Sequence, residues 1–248
     1  MKTTLKNVDK DNINYRRIVL KVTGESLSGV GDKGVSQKHV SLLAQKLITA
    51  SKGGLEIAVV MGGGNLLRGA HFSESELIRP FAAHQMGMMA TVINGLALSE
   101  TLNSMEQQAK LLSAFKVGNF VQEYDVITAR AELAAGKIVV LAGGTGNPYV
   151  TTDTCAAIRA AELGADAIFK ATKVDGVYSD DPNKNPQAKR FDIISYDEVI
   201  DHRLGVIDLT AIRICQETKI PIVVFNFQDL DKLGKVIDGT IKRSIIQK

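Results

Sequence analysis

The chain has 248 residues, of which 45% are hydrophobic and 23% charged, and its formal net charge is +3 at pH 7. That length suits one large domain or two small ones, and the apolar share is enough for a full core. The basic excess is slight and scattered, which excludes an electrostatic nucleic-acid footprint.

Residues 1–16, "MKTTLKNVDKDNINYR", are polar and lack the apolar stretch of a signal peptide, and no apolar run approaches the ~20 residues of a membrane span. A soluble, cytoplasmic protein is expected, organised as a single domain over 1–248 with a polar N-terminal extension over 1–15. The first element, "RIVLKVTG" (17–24), reads as a strand. Alternation puts Ile18, Leu20 and Val22 on one face and Val19, Lys21 and Thr23 on the other. A lysine inside a buried strand is costly unless paired, so Lys21 either snorkels out or is aimed at an anion. In "SQKHVSLLAQKLITASKGG", Val40, Leu43, Ala44, Leu47 and Ile48 fall on one helical face, with Ser36 as N-cap and Gly53-Gly54 as the stop.

The second strand, "LEIAVVMG", is apolar without alternation, as in a parallel sheet covered on both faces. It runs into Gly62, Gly63 and Gly64. Glycine is the residue most costly to order, and a tight turn needs only one or two. A strand followed by glycines is the form of a loop that brings backbone amides to phosphate, and Arg68 adds charge nearby. No Lys-Ser/Thr pair follows and the spacing is not GxGxxG, so a phosphate-binding lysine must come from elsewhere.

A helical stretch is predicted from about Ser75 to Phe115, broken near Gly95 and Asn103. "KIVVLAGG" (137–144) is a strand, "DTCAAIRAAELG" a helix with Asp153 as N-cap, "ADAIFKAT" a strand and "SDDPNKNP" (179–186) a polar loop; "TAIRICQETK" and "IPIVVFN" close the series as helix and strand. This alternation predicts an α/β fold with a largely parallel central sheet sandwiched between helices. Ligands bind outside the carboxyl ends of such strands. The ends "KVTGES", "GGGNLLRG", "AGGTGNPYVTTD" and "KATKVDGVYSDDP" together describe a site for a polyanion. Cys155 and Cys215 have no CxxC partner, and the four histidines form no ligand cluster, so no metal centre is expected.

The segments "KVTGESL", "GGGNLLRG", "HQMGMMATVINGLAL", "GTGNPYVTTDT" and "ATKVDGVYSDDP" closely resemble the bacterial uridylate (UMP) kinases of the amino acid kinase family, over about Tyr15 to Ile241. The resemblance implies transfer of the γ-phosphoryl group of ATP, with Mg²⁺, to UMP in pyrimidine nucleotide biosynthesis. It also implies feedback inhibition by UTP and a homohexamer, with no nucleic-acid or membrane partner. By the same resemblance Lys21, Asp153 and Asp208 form the catalytic set. Lys21, Val22, Thr23, Gly24, Gly64, Arg68, Thr172, Tyr178 and Asp181 hold ATP. Gly63, His84 and the run Thr145, Gly146, Asn147, Pro148, Tyr149, Val150, Thr151 and Thr152 hold UMP, with Thr145 and Asn147 reading the uracil edge.

Two departures stand out. His84 occupies the place of a family aspartate that contacts the ribose. Ser99 and Asn103 occupy those of an arginine and a histidine directed at an activating GTP, leaving only Lys110 basic. A sister kinase acting on a small carboxylate or carbamate, and a non-catalytic nucleotide-binding regulator, are the competing readings.

Overall fold

The computed structural model describes residues 15–29, 32–67 and 78–248. Its strands are β1 (Arg17–Val22), β2 (Glu56–Met61), β3 (Ala109–Ser113), β4 (Gln122–Glu123), β5 (Ile138–Ala142), β6 (Ala167–Thr172), β7 (Val177–Tyr178), β8 (Arg190–Phe191), β9 (Ile193–Ser195), β10 (Ile222–Asn226) and β11 (Arg243–Gln247). Nine of them form one sheet in the order β4-β3-β5-β2-β1-β6-β10-β11-β9, while β7 and β8 pair separately. Within the large sheet only β10–β11 is antiparallel. The carboxyl ends of β5, β2, β1, β6 and β10 therefore share one edge. The described α-helices are α1 (Gln37–Ser51), α2 (Pro80–Ser104), α3 (Val126–Ala134), α4 (Thr152–Leu163), α5 (Tyr196–Asp201), α6 (Leu209–Thr218) and α7 (Leu233–Ile237).

The strand alternation read from the sequence sorts the core into two layers. Ile18, Leu20 and Val22 pack with Leu43, Leu47, Leu98 and Leu102 of α1 and α2. Val19 packs on the opposite face with Ala156, Ala160 and Ile212 of α4 and α6. All six residues of β2 are buried, as the unbroken apolar run requires of a central parallel strand. Its first residue, Glu56, is neutralised by Arg17 at 2.5 Å. Tyr15 is also core, its ring edge-on to Phe169 at 5.4 Å, while the extension before it lies outside the described residues.

Two local expectations need correction. The predicted helix over 75–115 is instead α2, continuous through Gly95, followed by strand β3; residues 75–77 lie outside the described residues. A Cβ on Gly95 would meet Leu111 Cδ1 at 2.8 Å and Ala142 Cβ at 3.2 Å, so this glycine lets α2 lie close on the sheet and does not break it. A short apolar run such as "AKLLS" carries no periodicity that separates strand from helix. At α1 the expected ends hold: Ser36 is the N-cap residue, its hydroxyl 3.0 Å from His39 Nδ1, and the helix stops at Ser51 just ahead of Gly53 and Gly54, both at positive φ. At α4 the N-cap is Thr151, whose hydroxyl accepts from the N–H groups of Asp153 at 3.1 Å and Thr154 at 3.2 Å. Asp153 thus sits inside the first helical turn, where its carboxylate turns toward the sheet.

Candidate active site

Lys21 of β1 and Lys170 of β6 are registered neighbours across two parallel strands. Both share the face that meets α4, and both are buried, at 9% and 8% exposure. Like charges side by side in a sheet are destabilising, and a buried ammonium needs a partner. Asp153 supplies it for both. Its Oδ2 accepts from Lys170 Nζ at 2.5 Å, and its Oδ1 lies 3.0 Å from Lys21 Nζ.

The two contacts differ. Lys170 is locked by aligned hydrogen bonds to Asp153 and to the Val206 carbonyl, the latter also at 2.5 Å. Lys21 makes one contact with Asp153 Oδ1, at 3.0 Å, longer than that of Lys170. Its N–H vectors remain able to turn toward an incoming anion. Burial, which by itself raises the Asp153 pKa, is outweighed by the Lys170 and Lys21 ammonium groups, and the carboxyl stays below its ordinary range. For Lys170 burial prevails over the attraction of Asp153, and its pKa is lowered.

Asp208 braces this arrangement from the start of α6. Its carboxylate accepts from the Thr151 hydroxyl at 2.5 Å, the Thr154 hydroxyl at 2.8 Å and the Ala211 N–H at 2.9 Å. The N-termini of α4 and α6 are so tied together, and Asp153 is fixed relative to the sheet. In this geometry Asp208 positions the ion-paired cluster.

The loops beyond β1 and β2 touch at Gly24. A Cβ there would meet the Gly62 carbonyl and the Gly64 nitrogen, each at 2.8 Å, as well as Asn65 Oδ1. Gly63 lies against α2, where a Cβ would meet the Gly87 carbonyl at 2.9 Å, whereas a Cβ on Gly64 would find no described atom within 4 Å. The run of glycines thus serves two close approaches and one open edge. Val22 is buried, and Thr23 begins the 3-10 turn Gly24–Leu27. Arg68 lies outside the described residues.

On the β6–β10 side a cavity of about 550 Å³ is lined by Tyr178, Lys173, Asp175, Asn226, Asp229 and Lys242 among others. Tyr178 donates its hydroxyl hydrogen to Asp175 at 2.6 Å, and Thr172 Oγ1 donates to the Val174 carbonyl at 2.7 Å. Asp181 accepts from the Asn183 N–H at 3.0 Å and shapes the turn beside the cavity.

On the β5 side, residues 143–152 form a loop held in left-handed backbone at Gly143, Gly144 and Gly146 and, unusually for a side-chain-bearing residue, at Tyr149 (φ 66°). Thr145 Oγ1 accepts from the Asn147 N–H at 3.3 Å. The Tyr149 ring rests on His84, 4.6 Å between centroids, so His84 does reach this loop. Pro148 is half-buried; Asn147, Tyr149 and Val150 are exposed; Thr152 opens α4. Ser99, Asn103 and Lys110 line a separate cavity of about 630 Å³ together with Glu100 and Lys116.

Sequence reasoning missed Lys170, although a lysine within "AIFKAT" is as anomalous as one within "RIVLKV". Its pairing with Lys21 depends on which strands are neighbours, which the sequence does not display. Two buried asparagines, Asn65 and Asn94, and the buried Thr91 behind the loops were missed as well.

Glycine loops and a charge-paired lysine at the carboxyl edge of a parallel sheet are the apparatus of a phosphotransferase. Residues 16–226 match the sequence profile of the Amino acid kinase family, and the chain belongs to that family. A uridylate kinase from Bradyrhizobium is 46% identical over 232 residues, covering 94% of this chain and 97% of the relative. One from Xanthomonas campestris is 40% identical, covering 95% and 98%. The crystal structure of UMP kinase from Ureaplasma parvum superposes with a TM-score of 0.87 at 36% identity, covering 95% of this chain and all of that one. The UMP kinase of Bacillus anthracis gives 0.89 at 30% identity, covering 94% and 96%.

Proposed function

We propose that the chain transfers the γ-phosphoryl group of MgATP to UMP, giving UDP and ADP. The observation that carries this reading is the cluster Lys21–Asp153–Lys170 at the sheet edge shared by the glycine loops of β1 and β2, with the loop after β5 running directly into the helix that carries Asp153. The uridylate kinases matched over nearly the whole chain support the same acceptor.

A phosphate oxygen of UMP attacks the γ-phosphorus in line. The new O–P bond forms as the bond from the γ-phosphorus to the β–γ bridging oxygen breaks, and ADP leaves with that oxygen. No protein nucleophile is required, so catalysis is positioning together with stabilisation of charge on the equatorial oxygens. Lys21, oriented by its ion pair with Asp153, turns its remaining N–H groups onto the phosphoryl in transit. Amides of Gly24 and Gly64 approach the donor phosphates, Gly63 faces UMP, and the guanidinium of Arg68 serves as a planar clamp for ATP phosphate. Adenosine occupies the cavity at Tyr178, with Thr172 and Asp181 beside it, and the 143–152 loop with His84 encloses UMP. The carboxylates of Asp153 and Asp208 are already engaged, so Mg²⁺ arrives on the ATP phosphates as part of the substrate.

The same reading places the whole chain, as one domain, in the cytoplasm and in pyrimidine nucleotide biosynthesis. It also makes the assembly a homohexamer and UTP a competitor for the UMP pocket. The test is ADP release from MgATP with UMP, CMP or dTMP, and with small carboxylate or carbamate acceptors. UMP is expected to exceed the other nucleotides by at least about a hundredfold in kcat/KM, because the wrong base leaves the pocket's polar groups unpaired. Equal values for UMP and CMP would refute the uracil reading of Thr145 and Asn147. Turnover with a carboxylate alone would favour the sister-kinase reading.

A further inference from the structure

The glycine loop assigned to both nucleotides, through Gly63 and Gly64, and the 143–152 loop assigned to UMP leave adjacent strands, β2 and β5, and both hang on one helix. Thr91 and Asn94 stand three residues apart on α2, on one helical face. Asn94 is fully buried, and its Nδ2 donates to the Gly62 carbonyl and to Asn65 Oδ1, both at 2.7 Å. Its Oδ1 accepts from Asn65 Nδ2 at 3.0 Å, and Asn65 Nδ2 also reaches the Gly34 carbonyl at 2.7 Å. Asn65 Oδ1 in turn lies against Gly24. Thr91, 3% exposed, accepts at Oγ1 from the Gly143 N–H at 2.8 Å and donates to the Met88 carbonyl at 2.7 Å.

The hydrogen bonds from Asn94 to Gly62 and Asn65 and from Gly143 to Thr91 are buried, so each is costly to lose, and a fully paired buried network is rigid. Gly143 is in left-handed backbone (φ 75°), and its N–H has the Thr91 hydroxyl as its partner. A Cβ on Gly143 would meet Ser113 Oγ at 2.8 Å and the Ala114 nitrogen at 2.9 Å, so the loop packs tightly at this point. Helix α2 is therefore a bar with two attachment points, one on the glycine loop of β2 and one on the loop of β5.

We propose that Thr91 and Asn94 are positioning residues that set the distance between the two loops, Thr91 governing the 143–152 loop of the UMP site and Asn94 the glycine loop 62–64 that both nucleotides share. This rests on the proposed assignment of those loops to UMP and ATP. Neither residue touches the reacting atoms; each acts through a backbone group of a glycine.

Thr91→Val keeps the shape of the side chain and removes only the hydroxyl. The expected result is a rise of about tenfold in KM for UMP with KM for ATP changed by less than about twofold, and recovery of most of that loss in Thr91→Ser, which restores the oxygen. Hydrogen–deuterium exchange of the ligand-free chain should show faster exchange in peptides covering 143–150 and no change in those covering 62–67. Asn94→Asp should instead raise both KM values, with exchange increasing at 62–67 and unchanged at 143–150. Equal shifts of both KM values in Thr91→Val, no recovery in Thr91→Ser, or unchanged exchange at 143–150 would each overturn the proposal. The exchange experiment needs no substrate. A wild-type chain inactive toward UMP would sink the functional reading, while the exchange pattern would still decide whether α2 holds the two loops separately.

Discussion

Asp153→Asn removes the one carboxylate shared by two buried lysines while keeping the side chain's shape. The contacts at 3.0 Å and 2.5 Å each represent about 6 kcal/mol of gross attraction at an effective dielectric of about 20. Desolvation of three ions, several kcal/mol each, cancels most of that, so the net cost of removing the shared partner is about 3–5 kcal/mol. For a chain of this length that corresponds to a fall of roughly 6–20 °C in melting temperature. The loss has a pH signature. Because the folded carboxyl titrates below its ordinary range, the stability it adds is complete above the unfolded aspartate value of about 3.9 and is lost as pH falls through the lower folded value. The gap between wild type and Asp153→Asn should therefore be widest near neutral pH and narrow below about pH 3.9. Thermal melts from pH 3 to 8, paired with an ADP-coupled rate assay at neutral pH, check both parts. A variant that melts within a degree of wild type at pH 7, or a gap that is constant across the acid range, would refute the idea that Asp153 neutralises the lysine pair.

Lys21→Ala should lower kcat by about 10²–10³, as removal of one preorganised charge-stabilising donor does, yet lower the melting temperature less than Asp153→Asn, because Asp153 keeps Lys170 and a like-charge neighbour is gone. Near-normal turnover in Lys21→Ala would remove that residue from the mechanism. His84→Asp should be tolerated and lower KM for UMP about fivefold: a charge-assisted bond to a ribose hydroxyl, about 1.5–3 kcal/mol, outweighs the lost ring contact with Tyr149, about 0.5–1.5 kcal/mol. Unaltered UMP kinetics would place His84 outside the pocket. GTP should activate weakly or not at all, since the cavity at Ser99 and Asn103 offers two flexible lysines, Lys110 and Lys116, beside Glu100 and no guanidinium fork. A several-fold rise in initial rate at sub-millimolar GTP and subsaturating UMP would show that another surface supplies the donors.

What could be read without coordinates follows a physical division. Buried strands declare themselves because parallel sheets covered on both faces need unbroken apolar runs, and β1, β2, β5, β6 and β10 all stand where such runs stand. Their carboxyl ends had to share an edge once the sheet was parallel, so the glycine loops could be placed at one site before any distance was known. Lys21 was conspicuous for the same reason, a charge in an apolar run. Lys170 is just as conspicuous in isolation, but its meaning comes from standing beside Lys21, and strand order is a long-range property that no local pattern encodes. Gly95 misled because a glycine in a helix signals either weakness or close approach, and only Leu111 and Ala142 on the far side decide between them. The shift of the α4 cap from Asp153 to Thr151 spans two residues in sequence but is decisive chemically. A capping aspartate spends its carboxylate on backbone N–H groups at the helix end. With Thr151 in that position and Asp208 holding its hydroxyl, the carboxylate of Asp153 is left for the two lysines, and the site acquires the negative charge that makes a pair of buried cations tolerable.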